Sequence, residues 1–182
     1  MLLLSNRCIS TVLLLCLVLT SCERTIPEES VDSGNPQLTP RQEALNQLNS
    51  MRTAAGMVTF SVNTELDAAA SNHAQYLILR PADAHIEILG QALFTGESVA
   101  QRAAYAGYSS NQVTENLTLN TKNWKHAIDA LMGAIYHRFS FLGFTWNEIG
   151  MSRQIGSNQS ATVFNLGNTA LNALCLEPAG FF

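Results

Sequence analysis

Two strand-patterned runs close the folding part of this chain, residues 147–155 and 160–166, and the four residues between them, Gly156-Ser157-Asn158-Gln159, are all turn formers. What precedes them reads mostly as helix. Thr39 caps a first helix, Pro40 takes its first position and Gln42 completes a capping box. Ala44, Leu48, Met51 and Ala55 then share one face, and Gly56 is the stop. Residues 57–62 are short and extended. Thr64 is expected to cap a second helix striped with Leu66, Ala69, Ala70, His73, Ala74 and Leu77. A third helix is expected over 95–107. A fourth carries Trp124, Ala127, Ile128, Leu131 and Ile135 on one side and ends at His137. A further strand is read at 113–119. Helices first and a sheet completed late favour an α+β fold with a small antiparallel sheet over a wound parallel sheet, in which strands and helices alternate.

The first 21 residues stand outside that pattern. Arg7 is followed by a mostly apolar run, residues 8–19, which at about 1.5 Å per residue is too short to span a bilayer comfortably. It reads as the core of a secretory signal. Leu19-Thr20-Ser21-Cys22 resembles a bacterial lipobox, which makes Cys22 the lipidated N-terminus of the mature protein. Its acyl chains are then the membrane contact, placing the domain on the cell envelope. Residues 22–40 are polar, with three prolines and a glycine among acidic and hydroxyl side chains, and read as a tether. Residues 41–182 form the domain.

Composition narrows the chemistry. Without Arg7, nine Lys and Arg face fourteen Asp and Glu, a net charge near −5, and no basic cluster exists. Nucleic acid is therefore not an expected partner. Of the four cysteines, Cys8 and Cys16 precede the cleavage site and Cys22 carries lipid. Cys175 alone cannot close an internal disulfide, so the fold must rest on its core. Oligomeric state is not legible.

Three scattered segments can carry chemistry: His85-Ile86-Glu87, Glu115-Asn116-Leu117 and His137-Arg138. His73 falls inside an apolar stripe and reads as a satisfied core histidine. His137 falls opposite the stripe of its helix, at an end where the dipole favours an imidazolium. His85 lies on a loop after Arg80-Pro81-Ala82-Asp83, and Glu115 opens a strand from which it can point into a cleft. His126 reads as exposed. Two histidines and one or two carboxylates suit Zn²⁺ or acid–base work near neutral pH. No His-Glu-x-x-His, Cys-x-x-Cys or Gly-x-Ser-x-Gly spacing accompanies them.

Taken together these segments resemble the CAP superfamily of cysteine-rich secretory proteins, antigen five and pathogenesis-related proteins, in its bacterial branch. The resemblance runs through Leu48-Asn49-Ser50-Met51-Arg52, the helix from Asn63 to His73, Ala106-Gly107-Tyr108, Glu115-Asn116-Leu117, Tyr136-His137-Arg138 and Glu148-Ile149-Gly150, in that order. It implies a three-layer α-β-α sandwich with a cleft of two histidines and two acidic residues. His85 and His137 match the histidines and Glu115 the first acid. Ala134 stands near the second, so that carboxylate is missing, with Glu87 and Asp129 the candidates to replace it. Two functions follow as expectations. One is a non-enzymatic module binding a small apolar or lipid-like ligand beside His85, Glu115 and His137, with a divalent metal such as Zn²⁺ on the histidines as an option. The other is a metal-assisted hydrolase with Glu115 as general base. Residues 139–144, Phe-Ser-Phe-Leu-Gly-Phe, offer an apolar wall next to His137.

Overall fold

The computed structural model describes residues 37–170. The signal, Cys22, most of the tether and Cys175 lie outside the described residues. No helix among the described residues is long and apolar enough to cross a membrane.

Helix α1, Pro40–Ala54, begins as the sequence predicts: Thr39 accepts from the Gln42 N–H while the Gln42 side chain accepts from the Thr39 N–H. Gly56, at φ +74°, follows its end. A two-residue strand β1, Ser61–Val62, precedes α2, Thr64–Leu79, which is capped by Asn63 rather than Thr64; the Asn63 side chain accepts from the Leu66 N–H at 2.9 Å. Helix α3, Val99–Tyr105, starts later than expected, because Ser98 and Gln101 form a capping box and Thr95 is held elsewhere. Strand β2 is Val113–Leu119, β3 Glu148–Ile155 and β4 Ser160–Gly167. The expected fourth helix is two, α4 (Trp124–Gly133) and α5 (Ile135–Leu142), because Ala134 is extended at φ −93°, ψ 119°. Ile135 therefore leaves the buried stripe and is exposed.

The sheet order is β1-β3-β4-β2. The long strands β2, β4 and β3 pair antiparallel as expected, while β1 joins parallel to β3. Strand β4 is buried along its whole length and serves both faces. Phe164 and Leu166 pack with Ala44 and Leu48 of α1, Ala127, Ile128 and Leu131 of α4, and Phe141 of α5. Ala161 and Val163, pointing the other way as alternation requires, pack with Ala70, Ala74 and Leu77 of α2. The result is the three-layer α-β-α sandwich. Edge-to-face contacts of Phe164 with Phe141 (5.2 Å) and Trp124 (5.8 Å) fix α4 and α5 on their face. On the other face α2 lies directly on Gly150, where an added Cβ would stand 2.0 Å from the Leu66 backbone.

One buried cation was not anticipated. Arg52, on the apolar face of α1, is fully buried. It donates to the carbonyls of Val58, Phe141, Gly143 and Trp146 at 2.6–3.1 Å and lies 3.9 Å over the Phe60 ring. It thereby pins the chain leaving α5.

Candidate functional site

Strand β2 is an edge of the sheet, and two consecutive residues on it organise the site. Because neighbours in a strand face opposite ways, Glu115 points to the α2–α3 side and Asn116 to the α5 side. Each holds one histidine. Glu115 Oε1 is 3.0 Å from His85 Nδ1, and Asn116 Oδ1 is 2.8 Å from His137 Nδ1. The two imidazoles meet beyond the strand edge, stacked at 6.3 Å between centroids and 26° between planes.

The tautomers follow from the partners. The Asn116 amide nitrogen donates to the His137 carbonyl at 2.9 Å, and a carbonyl can only accept. The amide oxygen must then face Nδ1, which carries the proton. Glu115 is an anion, so His85 Nδ1 also donates. No described residue bonds to Nε2 of either ring, and both lone-pair nitrogens are left for a ligand.

Glu115 itself is not open. Its side chain is 3% exposed, and its second oxygen accepts from Arg102 Nη2 at 2.9 Å and, with the amide suitably turned, from Asn165 at 3.2 Å. Burial pushes its carboxyl up, but the His85 hydrogen bond and the charges of Arg102 and His73 outweigh it and hold the group below the usual range. His137 is moved down, first by burial and then by His85. The sequence placed His137 at the end of a long helix. It sits instead in the first turn of α5, where the dipole disfavours the imidazolium.

Neither candidate for the missing carboxylate reaches the cleft. Glu87 does not extend beside His85, because Ala84 and His85 form a turn and the Glu87 side chain runs inward. It is fully buried, accepts from the N–H groups of Thr95 (2.5 Å) and Gly96 (3.3 Å), and lies 2.9 Å from His73 Nδ1. Burial raises its carboxyl, and the His73 and Thr95 hydrogen bonds reverse this into a net lowering. Asp129 is on the outer face of α4 with Lys125 (2.6 Å) and Gln47 (3.1 Å). His126 is exposed as expected, its Nδ1 2.9 Å from the Asn123 side chain. His73 is buried and satisfied, as its place in the stripe predicts, yet it lies against the cleft: its Nε2 is 3.7 Å from Glu115.

The donor set decides what a metal could find here. Among the described residues no three His, Cys, Asp or Glu side chains cluster as ligands. His85 and His137 supply two nitrogens, where a resident Zn²⁺ takes three or four protein ligands. A tightly held cation does not fit this set.

The apolar wall is real but divided. Phe141 is in the core, whereas Phe139 (61%), Tyr136 (81%) and Ile135 (57%) stand on the outer face of α5, with Phe144 (89%) just after it. Ile86 and Leu89 are exposed on the loop that carries His85. Arg102, Asn116 and His73 are the site residues that sequence reasoning missed or set aside. Strand alternation was the available signal for Asn116, and nothing local marked Arg102.

The profile of the cysteine-rich secretory protein family (CAP) matches residues 45–166. An outer surface protein of Borrelia burgdorferi shares the fold at 16% identity and TM-score 0.62, over 71% of this chain and 92% of its own. An extracellular SCP-domain protein of Bacillus anthracis matches at 14% identity and TM-score 0.57, over 70% of this chain and 44% of its own. A cysteine-rich secretory protein of Staphylococcus aureus matches at 16% and 0.51, over 69% and 37%. This chain thus spans under half of the latter two. No curated protein sequence matches it. With the family profile covering two thirds of the chain and the sandwich in place around the His85/His137 pair, this protein belongs to the CAP family of cysteine-rich secretory proteins.

Proposed function

We propose that this protein is an envelope-anchored binding module, held to the membrane through lipid on Cys22 and without enzymatic activity of its own. Its ligand is small and apolar or lipid-like. It lies along the exposed side chains of Tyr136, Phe139 and Ile135, with its polar end on the Nε2 atoms of His85 and His137. The observation that carries this reading is the contrast between a carboxylate fully engaged inside the protein and an aromatic surface left exposed beside two accepting nitrogens. Large apolar side chains in a contiguous exposed group mark interaction surfaces. Two cavities among the described residues, about 690 Å³ beside Asn46 and Asn49 and about 490 Å³ beside Gln47 and Trp124, are lined by no cleft residue.

The hydrolase reading needs Glu115 to accept a proton from water. Arg102, the His85 ring and the Asn165 amide already occupy it, and its side chain is 3% exposed. A divalent cation would find two imidazoles and complete its shell with water, giving affinity weaker than a structural site.

Fluorescence titration of residues 23–182 with N-phenyl-1-naphthylamine, a neutral apolar fluorophore whose N–H can donate to the Nε2 lone pairs, tests the ligand surface. Tyr136→Ser with Phe139→Ser is expected to weaken binding at least about tenfold, since two aromatic contacts of order 1 kcal/mol each are removed. Equal affinity for both proteins would remove the proposed surface. For the anchor, Cys22→Ala is expected to move the domain from the membrane fraction to the periplasm or medium only if lipid is the contact. An unchanged membrane fraction would point to an uncleaved helix.

A further inference from the structure

Both ring nitrogens of His73 face oxygen acceptors. Nδ1 is 2.9 Å from Glu87 Oε1; Nε2 is 2.9 Å from the Ala84 carbonyl and 3.7 Å from Glu115 Oε1. A neutral imidazole has one N–H, so one of these contacts would set a lone pair against an oxygen. The carbonyl cannot supply the missing proton, and Glu87 already accepts from the Thr95 N–H and hydroxyl and the Gly96 N–H. We infer that His73 is a buried imidazolium, and that His73 and Arg102 are the positioning residues of the cleft, the two cations that hold Glu87 and Glu115 and, through Glu115, the ring of His85.

The charges around it support this. Facing His73 are Glu87 from the loop after α2, Glu115 from β2 and Tyr76 from its own helix, stacked at 6.1 Å. Arg102 of α3 closes the group, with Nη2 on Glu115 and Nε, otherwise without a partner, 3.9 Å from Glu87. Two anions and two cations, all 9% exposed or less, make a neutral set. With His73 uncharged the set would carry a net negative charge in the interior, which is costly. The backbone adds an independent sign. Ala84 is held at φ 51°, ψ −114°, a region that a side chain disfavours, and its carbonyl is the acceptor for His73 Nε2. The residue that follows is His85.

The inference rests on His85 and His137 forming the ligand cleft, but its test needs neither ligand nor metal. The chain has four histidines. In the ¹⁵N-labelled full chain in detergent micelles, substitutions of His85, His126 and His137 to Gln assign their ring signals and leave His73 as the remaining set. At neutral pH His73 is expected to show two protonated nitrogens, and His85 a proton on Nδ1. Glu87→Gln, close to isosteric, is expected to return His73 to one protonated nitrogen. A lone-pair nitrogen on His73 in the unsubstituted protein would overturn the inference, even if Glu87→Gln fails to fold. A His85 ring protonated on Nε2 alone would overturn the positioning role. If the ligand reading alone is wrong, both spectra remain as stated and only the N-phenyl-1-naphthylamine titration changes.

Discussion

His85 and His137 are held by neighbouring residues of one strand, yet the two sides of that strand are built in opposite ways. On the Glu115 side the support is ionic and sealed: Arg102, His73 and Glu87 have no exposed surface beyond 1%. On the Asn116 side it is a single neutral amide, making one bond to the His137 ring and one to its carbonyl, and just beyond it the chain presents aromatic groups to solvent. A buried charge cluster has one arrangement in which every partner is met, so it fixes geometry. An amide at the first turn of an eight-residue helix tolerates small shifts of that helix. The contrast assigns His85 the role of fixed reference and α5 the role of adaptable wall.

Substitutions on the two sides of the strand break the comparison most directly. Arg102→Met leaves Glu115 and Glu87 facing one cation instead of two in the interior, and is expected to cost about 3–5 kcal/mol of unfolding free energy. Asn116→Ala removes two hydrogen bonds and strands the groups that made them, at about 2 kcal/mol. Urea unfolding of the two variants measures both. Equal losses would mean that the sealed side is no more demanding than the open one. In addition, both variants are expected to weaken N-phenyl-1-naphthylamine binding in the protein that still folds, Arg102→Met because Glu115 no longer fixes the His85 ring and Asn116→Ala because the His137 ring is freed.

Sequence alone reached the open side more easily than the sealed one, and the reason is physical. The cap of α1, the α2 stripe and the three long strands are local patterns, set by spacing within ten or so residues, and the structure reproduces them. His85, Glu115 and His137 were identified through order and spacing of short motifs. The ionic group was not legible, because His73, Glu87, Arg102 and Glu115 come from four elements and acquire partners only when α2, α3 and β2 pack. An arginine in Val-Ala-Gln-Arg-Ala-Ala-Tyr carries no local mark of burial. The break at Ala134 was equally hidden, since Ile135 continues the apolar period of α4 by sequence and only the backbone turn removes it. That break moved His137 from a helix end to a helix start and reversed the sign of the expected dipole effect.

The reversed sign gives the smallest effect and sharpens the contrast. His137 is held below its ordinary value near 6.5, by burial and then by His85, so the folded protein favours its neutral form. Its contribution to stability is complete above that value and is lost as pH falls from there through the folded value, because the unfolded chain takes up the proton first. Glu115 and Glu87 are held below their ordinary value near 4.5, with hydrogen bonds and cations overcoming burial. Their contribution is complete above 4.5 and is lost only as pH falls through still lower values. Urea midpoints taken stepwise from pH 8 to 4 are therefore expected to show a shallow decline starting near 6.5, smaller than the loss in Asn116→Ala, and a steeper one beginning below 4.5. His137→Gln should abolish the first and leave the second. Protonation in the first window also takes the lone pair from His137 Nε2, so binding of N-phenyl-1-naphthylamine, whose N–H needs that acceptor, should weaken there while the His85 side is still intact. A single acid transition, unaffected by His137→Gln, would show that the two sides of β2 respond as one unit and that the division drawn between them has no thermodynamic content.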